Sequence, residues 1–557
     1  MRKKLLAGVM ALALCSTNMP PQTIFAGEFT SGNLEEVTEE TPEIFSDDNQ
    51  EVIEETEEEL SVFSSENVPE FSSEVNIMSA TADETEPIGI DMNDITNLNY
   101  YDSSKGIWKI TSAGSYRFNG TGNNDAPILI DHIDSGTVKV YLNNVNIHSA
   151  DRTPPLRITN TVHADVYIYL ESSNLLQSTY INSAALQIDG TTKLIIDNSP
   201  GTNGSLTANS SKHGTGIGSS GNSDLSPAFH IIIKGGAVTA SSFRSMGIGG
   251  NNSNITIKGG LVKVSSDQWC AIGGTKSNIT IDGGSVKASS RTHFGIKSSS
   301  LTINGGSVTA SSEEEPKEDI SSNQIIINGG SVKASSVSSS PTNDHGEKVY
   351  CCTIENLNSK KVIIDQNLKP WEPNNHQAVN PTDTNLYAWL TGEDHIVNVG
   401  TERRSYIFDS EDSESGTFSN TKRNATSDIF EFKGPRNFIY NGSSQTPSIT
   451  VNDTIKGVVN FTVKYFKEND STTEITEPKD VGTYIVKIDV NGGDFYNASS
   501  DYLTNENWKF DINPGTLTPK ITEHTGTYDG ISYPVITIDQ NTIPQNSIIA
   551  YSVDNKH

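Results

Sequence analysis

The chain has 557 residues, enough for about three or four domains of ordinary size. Asp and Glu number 69 against 39 Lys and Arg, and the resulting charge of −30 argues against a sequence-independent nucleic-acid binder, which needs clustered basic residues. Apolar residues make up only 34%, and there are 45 Gly, a balance that favours short strands and tight turns over helical bundles.

Residues 1–26 have the pattern of a secretory signal peptide. Three basic residues at positions 2–4 precede the apolar run 5–14, and a small-residue cleavage site follows at Ala26. Cys15 would suggest a lipoprotein, but Leu14 stands where lipidation motifs carry a small residue. No later stretch reaches about 18 apolar residues. The sequence therefore predicts a secreted or bacterial cell-surface protein with no transmembrane segment after removal of the signal.

Residues 27–90 are predicted to form a disordered acidic spacer. They contain 20 acidic residues and no Lys or Arg, and they are rich in Ser, Thr and Pro. A run of this composition buries too little apolar surface to fold, and its charges repel one another. We interpret it as a solvated arm rather than a binding segment.

A repeated phrase between residues 230 and 336 indicates the fold class. Each of five copies reads as a strand, a Gly-Gly corner and a second strand, for example NITIDGGSVKASS from Asn278, and a third short element lies between copies. Glycine suits a corner where φ is positive. The second glycines follow one another every 22 or 24 residues, at Gly236, Gly260, Gly284, Gly306 and Gly330.

Equivalent positions of the copies hold the same small set of apolar residues, so we expect them to stack. Strand alternation sends these residues to one side of each strand. Three strands per period around a stacked interior predict an all-β parallel β-helix with three faces. Leucine-rich repeats share the period, but their Leu-x-x-Leu-x-Leu frame is absent from the sequence. The predicted inward columns are Ile233, Ile257, Ile281, Ile303 and Ile327, then Val238, Val262, Val286, Val308 and Val332, and then Ala240, Val264, Ala288, Ala310 and Ala334.

The predicted β-helix covers residues 91–365. Two earlier copies, beginning at Pro127 and Pro155, have a period of 28 residues, and we expect eight or nine turns in all, the last one near Val362. Residues 93–125 would cap the N-terminal end and hide its open strand edge. Residues 366–428 would close the other end or link onward.

These phrases carry a resemblance to a known family. Residues 93–365 resemble the carbohydrate-binding, pectin-binding type of β-helix domain in secreted Gram-positive surface proteins, on the motifs GIGG, SNITIDGGSVKASS and VKVYLNNVNI. The resemblance implies a right-handed parallel β-helix that binds acidic polysaccharide without cleaving it. Nearly all of the matching residues are interior or corner positions, so the resemblance describes the fold more than the site.

The C-terminal part changes to alternating strands separated by turns. Residues 429–518 are predicted to form an immunoglobulin-like β-sandwich module. Tyr440-Asn441-Gly442 reappears as Tyr528-Asp529-Gly530, so that residues 519–557 are interpreted as the start of a second, truncated module. Both resemble bacterial immunoglobulin-like repeats of the YDG type, for which a stalk is the favoured role.

The sequence offers weak candidates for catalysis. Glycoside hydrolysis needs two carboxyl groups about 5 to 9.5 Å apart, but Asp131 and Asp189 stand two turns apart in their column with Thr159 between them. Arg157 and Arg244 lack an acidic cluster that a lyase would use to bind calcium. Cys270, Cys351 and Cys352 form neither a disulfide framework nor a zinc-type spacing. We therefore predict no catalytic residue and no cofactor, and calcium binding stays an open alternative.

Exposed tyrosines are the first candidates for ligand binding. Tyr141 and Tyr169 occupy equivalent outward positions one turn apart, and Lys139 and Tyr167 form the neighbouring pair. Sugar rings pack their C–H faces on aromatic side chains, and a phenol adds a hydroxyl group. The alternative is that Tyr is simply favoured in strands.

An outward column of lysines is the second candidate. Lys263, Lys287 and Lys333 alternate with threonines, and residues 229–310 contain eight basic residues against two acidic ones. Such a field attracts polyanions such as polyuronates or cell-wall glycans, although lysines also guard sheet surfaces. Trp269 precedes a third strand, where it would rim this face or cap the interior.

The sequence thus predicts an exported cell-surface protein whose β-helix binds acidic polysaccharide without catalysis. A pectinase-like lyase or hydrolase is one alternative, and a structural or protein-binding adhesin is another. The sequence does not identify the glycan, the mode of anchoring or the oligomeric state.

Overall fold

The structure is a computed structural model that describes residues 86–120, 125–221, 228–314, 318–357, 360–365, 384–410, 416–516, 518–527, 529–532 and 536–543. The predicted signal peptide and nearly all of the acidic spacer lie outside these residues. The described residues are almost entirely in strands and turns, and none of them belongs to a helix long and apolar enough to cross a membrane. The described helical segments are the short 3₁₀ turns Ser427–Ile429 and Gln540–Thr542.

Three stacks of parallel strands form the β-helix and confirm the predicted fold. The first face contains ten strands: Ile88–Asp91, Gly114–Asn119, Thr137–Asn143, Asp165–Leu170, Lys193–Asn198, His230–Ile233, Asn254–Ile257, Asn278–Ile281 and the C-terminal halves of Ile296–Ile303 and Ile320–Ile327. The second face contains Asn146–Ser149, Ser173–Ser178, Ser205–Ser210, Ala237–Ser242, Leu261–Ser266, Ser285–Ser290, Ser307–Ser312 and Ser331–Lys333. The third face contains Ile107–Ile110, Ile128–Ile130, Leu156–Ile158, Leu186–Ile188, Ile217–Gly218, Ile248–Gly249, Ile272–Gly273 and the N-terminal halves of the two long strands.

The interior consists of the predicted apolar columns. The Ile and Val columns are buried along their whole length, and Ala334, at the end of the third column, is partly buried. Each fully buried Ile or Val contributes about 1.5 to 3 kcal/mol relative to an exposed one. Because equivalent residues face each other in register, the same side chain packs against its own copy one turn later.

The Gly-Gly corners have the predicted positive φ. The second glycine of each corner lies at φ between 80° and 83°. The preceding turn also leaves no space for a side chain: a Cβ on Gly284 would lie 2.7 Å from the backbone of Gly259, and one on Gly330 would lie 2.5 Å from the carbonyl oxygen of Gly306. Glycine is therefore required there both for its φ and for the close approach of two backbones.

The β-helix begins earlier than the sequence analysis expected. Ile88–Asp91 and Gly114–Asn119 pair in parallel with each other and with the next turn, so they are turns of the β-helix rather than a cap over it. The strands are short and interrupted by residues 92–113, which obscured the repeat. Within that interruption, Tyr101–Asp102 pairs antiparallel with Ile107–Ile110, and Tyr100 and Tyr101 pack against the core beside the buried Trp108.

The expected turn near Val362 is not part of the β-helix. Val362–Ile364 pairs antiparallel with His395–Val399, in a sheet with Glu402–Asp409 and Thr417–Ser419. A second antiparallel pair joins Val349–Ile354 to Leu386–Thr391. These strands enclose a separate small core around Ile354, Val397 and Val399, so the isolated apolar run at 362 packs there.

The strand Leu386–Thr391 covers the C-terminal end of the second face. The Trp389 indole Nε1 donates to the Val332 carbonyl oxygen at 2.9 Å, and the Tyr387 backbone N–H donates to Ser331 Oγ at 3.1 Å. This is the end-closing role that the sequence analysis offered for the segment around NLYAWL. Residues 366–383 of the predicted cap lie outside the described residues.

A further β-sheet module follows. One pair consists of Phe430–Lys433 and Ser448–Val451, and a five-stranded sheet consists of Asn437–Ile439, Leu503–Asn513, Gly482–Gly493, Val459–Lys467 and Asp470–Ile475. A shared core around Tyr484, Ile488 and Phe510 joins them. Ion pairs such as Arg403–Asp494 connect this module to the preceding sheet. In the predicted second module, Ile521–Glu523 pairs antiparallel with Ile536–Ile538, whereas Tyr528 lies outside the described residues.

We expect Gly284→Ala to destabilise the β-helix far more than Gly346→Ala. Both glycines have positive φ, 80° and 78°, and this costs a non-glycine residue about 1 to 2 kcal/mol. Only at Gly284 does the new Cβ also meet neighbouring backbone, since nothing lies within 4 Å of the position at Gly346. Chemical unfolding followed by circular dichroism measures the difference, and equal losses in the two variants would contradict the crowding of the corner.

Candidate functional site

Three tyrosines project from neighbouring strands of the first face. The register pairs Tyr141 with Tyr169 and Lys139 with Tyr167, as the sequence predicted. Tyr141 is only 9% exposed, whereas Tyr167 and Tyr169 are half-buried. We call Tyr141, Tyr167 and Tyr169 the tyrosine stack, because their rings lie nearly parallel.

The rings of the tyrosine stack cover one another's faces. The centroids of Tyr141 and Tyr169 are 4.9 Å apart with 21° between the ring planes, and those of Tyr169 and Tyr167 are 5.9 Å apart with 16°. A cation closes each end, since the Arg117 guanidinium lies 5.4 Å from the Tyr141 centroid and Lys234 Nζ lies 5.8 Å from that of Tyr167. The side chains therefore form a layered series of cation, three rings and cation along the outside of four turns.

Ion pairs and burial hold this series in place. Arg117 donates from Nε and one terminal nitrogen to Glu171, at 3.1 to 3.2 Å. Burial raises the pKa of the Tyr169 phenol, although nearby Lys139 acts in the opposite direction. The phenol is therefore protonated at neutral pH and can donate a hydrogen bond. The sequence did not point to Arg117 or Lys234, because the turn containing Arg117 was assigned to a cap and Lys234 follows its strand.

The predicted lysines lie on the second face. Thr239, Lys263, Lys287, Thr309 and Lys333 form one outward column in the predicted order. We call Lys263, Lys287 and Lys333 the lysine column, and all three are exposed. Lys333 Nζ lies 5.3 Å from the centroid of the Tyr387 ring. The structure thus places the tyrosine stack and the lysine column on different faces and does not bring them together.

Trp269 lies at the turn between the second and third faces. Its ring is tilted against that of His293 one turn later, with centroids 4.8 Å apart. Its backbone is held by Ser266 and Ser290, whose hydroxyls bond to Trp269 N and O. The half-buried indole belongs to the corner rather than to either of the two faces.

The carboxylates that were considered for catalysis have structural partners. Asp131 accepts hydrogen bonds from Thr159 at 2.8 Å and Thr161 at 2.9 Å, and its carboxylate lies 3.4 Å from Lys109 Nζ. Burial by itself would raise the pKa of Asp131, but these donors outweigh it and hold the pKa well below its usual range. Asp189 accepts from Gln187 at 2.7 Å and is also paired with Arg157. Arg157 is therefore not isolated, since the turns bring together residues that are 32 apart in sequence.

A buried histidine–carboxylate pair escaped the sequence analysis. His395 Nδ1 bonds to Asp365, and Nε2 lies 3.0 Å from the Thr391 carbonyl oxygen. Burial opposes the charged imidazole, but these two acceptors outweigh it and raise the pKa of His395. Because both ring nitrogens are engaged as donors, the pair joins two strands and does not offer a general base to a ligand.

The described residues contain no group of three or more His, Cys, Asp or Glu side chains that could hold a metal ion. Cys270 and Cys352 are buried, and burial raises the pKa of each thiol to about 12. Neither buried thiol is therefore a nucleophile at neutral pH.

Residues 104–191 match the family described as "Carbohydrate-binding domain-containing protein". No curated protein and no solved structure matches the chain. The matched segment covers less than a fifth of the chain, and it includes Arg117 and the whole tyrosine stack. Together with the parallel β-helix, the match supports carbohydrate as the partner and a non-catalytic role.

We expect Asp131→Ala to lower stability by about 1 to 3 kcal/mol, because it leaves Lys109, Thr159 and Thr161 without their acceptor. The depressed pKa means that the carboxylate stabilises the fold above its ordinary value of 3.8 and loses this effect as the pH falls through the folded-state pKa. The difference from the parent chain should therefore shrink on acidification.

Thermal unfolding of Asp131→Ala at pH 7 and pH 3 measures this difference, with the exposed Asp151→Ala as the matched control. A parent chain that released sugar products, together with a folded Asp131→Ala that did not, would assign Asp131 to catalysis instead.

Proposed function

We propose that this chain is an exported protein that holds acidic polysaccharide on the first face of its β-helix without cleaving it. One observation carries the proposal: three stacked tyrosines, closed at both ends by cations, lie within the segment that matches a carbohydrate-binding family.

The geometry of the tyrosine stack favours an anionic sugar over a neutral one. An aromatic ring is negative on its faces and positive at its edge. The faces of Tyr141 are covered by Arg117 on one neighbouring strand and Tyr169 on the other, so a ligand above the sheet meets ring edges and hydroxyl groups. Positive ring edges, phenol donors and the ammonium groups of Lys139 and Lys234 all attract carboxylate oxygens.

The contacts of the acidic residues argue against the lyase and hydrolase alternatives. Hydrolysis needs a carboxylic acid and a carboxylate that both face the glycosidic bond. Asp131, Asp189 and Glu171 instead accept hydrogen bonds from side chains of their own or neighbouring turns. A lysine or arginine base beside a bound calcium would serve a lyase, but the described residues hold no acidic cluster for that ion.

The location of the protein is inferred from its first residues and its modular order. A predicted signal peptide directs export, and an acidic spacer would separate the β-helix from it during translocation. The β-sheet modules after residue 349 follow the β-helix as a stalk would. A glycan outside the cell is therefore the natural ligand.

We expect replacement of Tyr141 and Tyr169 by Ala to weaken binding of the mature chain to polygalacturonate roughly tenfold, which is about 1.4 kcal/mol. Affinity electrophoresis in gels containing polygalacturonate or a neutral glucan measures retention, at low and high salt. Retention should fall with salt because the cations contribute to it. Tyr440→Ala, an exposed tyrosine of the C-terminal module, is the matched control.

Two other outcomes would contradict the proposal. Reducing ends or unsaturated products in the same mixtures would identify an enzyme. Retention on no glycan would favour a structural or protein-binding adhesin. Thermal unfolding of the double variant separates loss of the site from loss of the fold, since Tyr141 is largely buried.

A further inference from the structure

A small cavity lies where the second face of the β-helix ends. Its volume is about 250 Å³. One wall belongs to the last two strands of the second face, and the other belongs to the start of the strand Leu386–Thr391. The lining residues are Ser307, Thr309, Ser331, Lys333, Thr384, Asn385 and Tyr387.

Hydrogen bonds across the junction hold the two walls together. Tyr387 N–H donates to Ser331 Oγ, and the indole of Trp389 donates to Val332 O, so the strand is fixed at two points on the same edge. The Tyr387 ring is thereby placed beside Lys333, whose Nζ lies 5.3 Å from the ring centroid. The cavity is a built feature of the tertiary structure, because its two walls come from segments more than 50 residues apart.

The lining groups suit an anionic sugar residue. Lys333 supplies an exposed positive charge, and Tyr387 supplies an aromatic ring against which a sugar ring can pack. Serine and threonine hydroxyls and the Asn385 amide supply hydrogen-bond donors and acceptors of the kind that sugar hydroxyls need. The volume is below the about 300 to 1,000 Å³ of pockets for drug-sized ligands, which fits a single sugar unit.

The cavity continues the lysine column. Lys287 lies two strands before Lys333 in the same outward column, about 9.6 Å away by strand spacing, and Lys263 precedes it by one more strand. Lys263 and Lys287 form no ion pair with any residue that the structure describes. Serines flank the column on both sides, at Ser285 and Ser289 in one turn. A polyanionic chain ending in the cavity would therefore meet further cations along the face.

This surface is separate from the tyrosine stack. The stack occupies the second to fourth strands of the first face, whereas Lys333 lies on the last strand of the second face. Because the faces of a three-sided solenoid point in different directions, a stiff chain lying on one of them does not reach the other.

We propose that the cavity of Lys333 and Tyr387 is a second binding site, for an anionic sugar residue, and that one molecule consequently holds two acidic glycan chains at once. The proposal rests on the proposed function of the first face. It adds a separate site, and it assigns to the protein the capacity to bridge polysaccharide chains.

Calorimetric titration of the mature chain with a galacturonic acid trimer tests the proposal. The parent chain should bind two trimers. Lys333→Ala combined with Tyr387→Ala should bind one, and Tyr141→Ala combined with Tyr169→Ala should also bind one. Lys276→Ala, an exposed lysine at a corner of the same β-helix, should leave the stoichiometry at two. Lys333→Glu, a single change at an exposed position, should lose the same site and guards against misfolding of the double variant.

A mixing experiment provides a second readout. Beads coated with polygalacturonate should aggregate with the parent chain and remain dispersed with either double variant, because each of these variants holds only one glycan chain.

The outcomes distinguish the two proposals. A parent stoichiometry of one that is lost with the tyrosines would overturn the second site and leave the proposed function standing. A stoichiometry of two in both Lys333 variants would place the second trimer elsewhere and also overturn it. A parent chain that bound neither the trimer nor polygalacturonate would overturn both.

Discussion

The parallel register between successive turns is the constraint on which the rest of this molecule depends. Each strand of the repeat pairs residue for residue with its copy one turn later, so Val262 lies beside Val238 and Val286. A slip by one residue would turn every inward side chain outward. At the corners the same close stacking leaves the second glycine of each pair against the backbone of the preceding turn. The repetition of Ile, Val and Gly-Gly in the sequence is the direct consequence.

The register also builds the candidate site, because it aligns outward residues as strictly as inward ones. Outward positions are not constrained by packing in the core and can differ from turn to turn. The first face carries Arg117, Tyr141 and Tyr169 in one column, whereas the later turns carry threonine in the neighbouring column, at Thr256 and Thr280. A recognition surface can therefore be placed on a few turns without disturbing the others.

The two ends of a parallel stack expose unpaired strand edges, and chain of non-repeating sequence covers both. At the N-terminal end a hairpin packs Tyr100 and Tyr101 against the core. At the C-terminal end the strand Leu386–Thr391 lies against the last strand of the second face. That contact protects an edge, and it also encloses Lys333 beside Tyr387. Protection of the fold and formation of a ligand-sized cavity thus arise from one contact.

The sequence alone determined the three-faced β-helix, the columns of its core, the glycine corners and the pairs Tyr141–Tyr169 and Lys139–Tyr167, because each of these repeats with the period of the turns. Only the tertiary structure decided what does not repeat. The first two turns were interpreted as a cap, since residues 92–113 interrupt their period, and Val362 was interpreted as a turn, since its short apolar run also fits an antiparallel sheet. The ring-to-ring packing of the tyrosines, the cations at their ends, the pairing of Arg157 with Asp189 and the position of Tyr387 depend on side-chain directions and on contacts between distant segments. A periodic pattern specifies which residues share a column, but the partner of an outward side chain depends on how the chain returns, and this return is a property of the folded molecule.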